Sequence, residues 1–107
     1  MDMKKRKKRV DRNHAIYLIT VGKKTYIGVT VVVGGVNKSL QVRLNKHWYR
    51  REDPTRWDWA IYKALRRVER DEPTIVLLEV VRGKAAVHKR ERELIKKLDP
   101  KLNSDKR

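Results

Sequence analysis

Residues 74–82, Thr-Ile-Val-Leu-Leu-Glu-Val-Val-Arg, form a nearly continuous apolar run that ends at Gly83. A run of this length stopped by a glycine reads as a strand. Apolar side chains at almost every position imply burial on both faces, so the strand is expected at the centre of a sheet. Two further β-type segments come earlier. Residues 15–21 (Ala-Ile-Tyr-Leu-Ile-Thr-Val) and 25–33 are separated by the turn signal Gly22-Lys23-Lys24, and the second ends at Gly34-Gly35. They are expected to form a β-hairpin. Three strands are too few to close a barrel at this size, so helices must cover the sheet.

The helices are read from apolar spacing. Ser39 is placed to cap a helix that runs to about residue 51, with Leu40, Leu44 and Trp48 as its stripe. Pro54-Thr55 breaks it. A second helix over roughly 56–70 has Trp57, Ile61, Leu65 and Val68 on one face, and a last one over about 84–98 stops before Pro100. The order is ββααβα: an α/β (α+β) fold with a small three-stranded antiparallel sheet flanked by helices. A length of 107 residues means one domain with a small core. Residues 1–13 hold seven Lys and Arg and almost nothing apolar. They are expected to be a basic flexible arm ahead of a single domain over 14–107. No internal repeat is visible.

Charge bears on partners. The chain carries 29 Lys and Arg against 13 Asp and Glu, a net charge of +16, with denser stretches at 4–12, 43–51 and 89–97. A basic excess spread this widely suits contacts to nucleic-acid phosphates. No 18-residue apolar run is present, no apolar signal core follows the basic start, and there is no cysteine. A membrane span, disulfides and a thiolate metal site are therefore excluded on the sequence, and the expected location is cytoplasmic.

Glu91 is the residue out of pattern. At about 100° per residue, Val87, Leu94 and Leu98 share one stripe of the last helix, and Glu91 falls in its middle. A carboxylate there loses solvation and needs a partner or a metal. The bland alternative is a half-exposed glutamate paired with a neighbouring Arg or Lys. Tyr17 and Tyr26 lie on the two hairpin strands. They share a face if the loop has an even number of residues and part company if it is odd. Singly, each reads as an ordinary cross-strand aromatic. Arg43 and His47, four apart, flank the stripe of the first helix. They could present a guanidinium and an imidazole to a phosphate, although His47 alone reads as part of a solvated face. Trp48 and Trp57 fit apolar stripes. Trp59 sits off its stripe, placed either to pack against the first helix or to stack on a base. Glu93 reads as surface, and neither His14 nor His88 joins another histidine in a metal cluster.

Ala15-Ile16-Tyr17 followed by Tyr26-Ile27-Gly28, then Arg43-x-x-x-His47, then Glu91-x-x-x-Ile95 with Leu98-Asp99-Pro100 and Asn103, resembles the GIY-YIG nuclease family in its motif order. The resemblance covers about residues 15–103. It implies a divalent-metal-dependent endonuclease that hydrolyses DNA phosphodiester bonds with Mg²⁺ or Mn²⁺ and no other small-molecule cofactor. Glu91 would be the metal ligand and Arg43 would neutralise the scissile phosphate. Tyr17 or Tyr26, left tied, would take the proton of the attacking water. His47 would bind the phosphate or assist the leaving group, and Asn103 would bond near the phosphate or steady the site. Lys23, Lys24, Lys38, Lys46, Arg50 and Arg51 are the expected contacts to DNA.

Three departures stand out. Ala15 replaces the opening glycine. Residues 31–38 lengthen the gap before Arg43. Val29 stands where some members carry a lysine, a role open to Lys38. With no second domain to add specificity, a monomer is expected to nick DNA with weak sequence preference. A homodimer or a partner protein would be needed to cut both strands. Compact stand-alone members occur in phages and bacteria, in homing, repair and attack on foreign DNA. The alternative is a non-cleaving nucleic-acid-binding module of the same fold, and a third reading is a basic protein that coats an acidic partner.

Overall fold

A computed structural model describes residues 12–103; most of the basic arm expected over 1–13 lies outside them. The described elements are strands β1 (Asn13–Val21) and β2 (Lys24–Val31), helix α1 (Val36–Arg50), a 3₁₀ turn (Pro54–Arg56), helix α2 (Ala60–Leu65), strand β3 (Thr74–Arg82) and helix α3 (Lys84–Leu98). They make a small α+β domain on a three-stranded antiparallel sheet in the order β2-β1-β3.

β1, not β3, is therefore the central strand. Its Ala15, Ile16, Tyr17 and Ile19 are all at most 2 % exposed, although they look no more apolar than residues 74–82. Val76, Leu77 and Val80 of β3 are each more than 40 % exposed. An irregularity in register sets Ile16 opposite Glu79 but Tyr17 opposite Leu77, which interrupts the alternation of β3 and leaves its apolar count a poor guide to its place.

The hairpin closes through two residues, with Val21 opposite Lys24 and Gly22 in the left-handed region (φ 62°), a conformation that costs glycine nothing. An even loop puts Tyr17, Ile19, Tyr26 and Gly28 on one face. That face packs with Leu40 and Leu44 of α1 and Ile61, Tyr62 and Leu65 of α2. On the opposite face Ile16 and Ile27 pack with Val87 and Leu94 of α3. The sheet is thus a filling between two separate cores. The outer edge of β2 is closed by the segment after α3: the Leu102 amide donates to the Thr25 carbonyl (2.9 Å), and Asn103 exchanges two hydrogen bonds with the backbone of Ile27 (2.9 Å each). This side-chain pairing covers a strand edge that would otherwise be open.

Several local expectations change. α1 begins at Val36 rather than at a Ser39 cap. The buried Ser39 hydroxyl instead accepts from the Val33 amide (2.8 Å) and lies 2.8 Å from the Gly35 carbonyl, tying the loop to the helix. β2 stops at Val31, two residues early. The second helix shrinks to one and a half turns, because Asp53 accepts from the Thr55 amide and hydroxyl and starts a 3₁₀ turn at Pro54. Trp57 caps that turn and is 46 % exposed, with the Arg66 guanidinium stacked 3.7 Å above its ring. Leu98, the last residue of α3, is 47 % exposed. Among the described residues no helix is long and apolar enough to cross a membrane.

Candidate active site

Gly28 sits directly across β1–β2 from Tyr17. A Cβ at Gly28 would come within 2.9 Å of Tyr17 Cε1 and closer still to the hydroxyl oxygen. The absent side chain lets the Tyr17 ring lie over β2, with its hydroxyl directed at α1. There the hydroxyl meets His47 Nε2 at 2.8 Å, while His47 Nδ1 meets the Tyr62 hydroxyl at 2.8 Å. Tyr26 stands beside them, its ring centroid 5.3 Å from His47 and 6.4 Å from Tyr17. α1 also supplies Arg43, which donates to the Thr30 hydroxyl (3.3 Å), and Arg50, which hydrogen-bonds Tyr62. From the other layer, α3 brings Glu91 and His88 to the rim of β2 near Gly28 and Val29. These groups enclose a cleft of about 210 Å³ with Trp59 at its wall.

The electrostatics follow from burial. His47 is 3 % exposed, and desolvation, then Arg43 and Arg50, lower its pKa to about 3. The imidazole is therefore neutral: one ring nitrogen donates, the other accepts, and both are spent on tyrosines. Binding a phosphate or protonating a leaving group, the roles expected for His47, would require breaking one of these bonds. Burial, followed by Tyr26, pushes Tyr17 well above its ordinary value, and Arg43 offsets only part of this. Burial also raises Tyr62, against the hydrogen bond from Arg50.

Glu91 faces the cleft with its side chain 15 % exposed and lies 3.4 Å from His88 Nδ1. It is the cleft's carboxylate, and among the described residues no three His, Cys, Asp or Glu converge as a metal cage. This donor set fits a hard divalent ion that keeps most of its waters and takes further oxygens from a bound phosphate, as Mg²⁺ does.

The other expected residues scatter. Asn103 is buried away from the cleft, with both ends of its amide engaged by Ile27. It steadies the segment between Tyr26 and Gly28 and does not line the cleft. Of the six expected DNA contacts only Arg50 lines the cleft. Lys23 and Lys24 lie at the hairpin turn, and Lys38 and Lys46 are exposed on α1. Arg51 stacks 3.9 Å over Trp48 and donates to the Trp48 carbonyl (2.8 Å).

Tyr62, His88 and the cleft position of Trp59 were not anticipated. Tyr62 had a signal: a hydroxyl on the apolar stripe of Ile61 and Leu65 needs a polar partner once buried. Trp59 stacks on the Tyr62 ring at 5.8 Å and 22° and shares the cleft wall with Arg43, His47 and Arg50 of α1. No protein-family model, curated protein or solved structure matches the chain.

Proposed function

We propose that the chain is a metal-dependent endonuclease of the GIY-YIG type acting on DNA. One observation carries this reading: Tyr17, Tyr26, Arg43, His47 and Glu91, spread over 75 residues of sequence, line a single cleft. A bound divalent ion would supply the positive charge that offsets the developing negative charge on the phosphate and makes water more acidic. Glu91 would hold that ion. Arg43 and Arg50, on one face of α1, would receive the phosphate. His47 locks the Tyr17 hydroxyl, so an oxygen of fixed position can orient the attacking water. Tyr26 is the less buried of the two phenols and is the group we assign to exchange the proton.

Plasmid nicking in Mg²⁺, Mn²⁺ or EDTA, with Glu91→Ala alongside the native chain, tests the reading. Metal-dependent nicks lost in the variant would support it. No nicking in either metal, with tight salt-sensitive binding, would favour the non-cleaving module. The engaged His47 nitrogens and the raised Tyr17 are the observations that keep this second reading in view.

A further inference from the structure

A second concavity lies on the same side of the sheet, at the hairpin end. Its volume is about 350 Å³, and its floor includes Val21, Leu102 and the small side chain of Ala64. Four cations from three separate parts of the chain surround it: Lys24 from the hairpin, Lys63 and Arg67 from α2 and the turn after it, and Lys101 from the segment after α3. Lys101 is bonded to Asp99 (3.0 Å), and Glu72 accepts from the Gly22 amide at the rim (3.1 Å). Lys24, Lys63 and Arg67 have no carboxylate partner among the described residues. Like charges converging on one hollow repel, and an anion seated there relieves that repulsion.

The geometry points to a second phosphate seat for a nucleic-acid strand, separate from the cleft and working with it. Tyr17 and Val21 lie four residues apart on one face of β1, so cleft and hollow are about 13 Å apart at about 3.3 Å per residue. That is a span of a few nucleotides at about 3.4 Å of rise each. The hollow is lined by no aromatic side chain and no amide side chain, and its charged groups are cations suited to backbone phosphate. Its cations hold backbone phosphate whatever the sequence. This seat deepens the endonuclease reading and rests on it for the identity of the strand.

The test is NMR of the ¹⁵N-labelled full chain titrated with a short single-stranded DNA oligonucleotide, native and Lys63→Glu/Arg67→Glu. Both substitutions fall on exposed positions, and the native amide spectrum away from the hollow reports that the variant is folded. We expect the amides of Gly22, Lys24 and Leu102 to shift in the native chain and to stand still in the variant. Affinity should drop about tenfold, and the slope of log K on log salt should shrink by about 1.4, two contacts at about 0.7 each on a single strand. Static amides in the native chain, or unchanged affinity and slope in a folded variant, overturn the seat whether or not the chain cuts DNA. A chain that shifts at the hollow and never nicks keeps the seat and loses the endonuclease.

Discussion

The Tyr17 ring occupies the space that a side chain at Gly28 would need. The two residues face each other across a strand pair, so neither can move aside without disturbing the ladder. The glycine thus fixes the tyrosine, and through the 2.8 Å bond to Nε2 it fixes His47.

Gly28→Ala is therefore expected to cost about 1–3 kcal/mol of stability, the usual penalty for overpacking. The ring must rotate, so nicking should fall more steeply than the folded fraction does. Urea unfolding and cleavage assayed on one preparation would separate the two effects.

His47 gives the fold a pH dependence of known sign. Its folded pKa of about 3 lies below the unfolded value of about 6.5. Between them the unfolded chain binds a proton that the folded chain refuses. The stability contributed is complete above about pH 6.5 and is lost as pH falls toward 3, at about 1.4 kcal/mol per unit. Native stability should decline relative to His47→Gln over that window. Parallel curves for the two proteins would show that the imidazole is not held neutral.

Asn103→Ala should leave the Ile27 amide and carbonyl without their partners and destabilise the fold by about 2–3 kcal/mol. Because the side chain does not line the cleft, the activity of the remaining folded protein should be near native at low temperature. A loss of turnover in fully folded Asn103→Ala would instead place this amide at the substrate.

Trp59 is 41 % exposed beside Tyr62, so Trp59→Ala should cost little stability. It should weaken single-stranded DNA binding by about 1 kcal/mol if a base stacks there. Fluorescence anisotropy at fixed salt reads this directly, and unchanged binding would confine Trp59 to shielding Tyr62.

The span of β3 and of α3 was legible from local pattern, and so was the pairing of the hairpin. The place of β3 was not. Its apolar residues lie on both faces, as buried residues would, and only the register irregularity beside Leu77 and the sheet order show that Val76, Leu77 and Val80 are half in solvent. Of the candidate site, Tyr17, Tyr26, Arg43 and Glu91 could be singled out in the sequence, and their meeting in one cleft came only with the fold. The role of His47 could not be read there, because it depends on a hydroxyl fifteen residues away on another helix. The shared face of the tyrosines turned on loop parity, which depends on where β2 begins.

Glu91 hangs from the layer beneath the sheet, while the phenols, His47 and Arg43 belong to the layer above it. Any ligand that bridges Glu91 to Arg43 is a clasp over the rim of β2. Its affinity then includes the work of keeping two independently packed layers aligned, and a slight slide of α3 along the sheet would open the clasp with every side chain still in its own rotamer. Occupancy of the cleft should therefore be felt as slower amide exchange along β2 and along α3, a helix whose core is separate from that of α1.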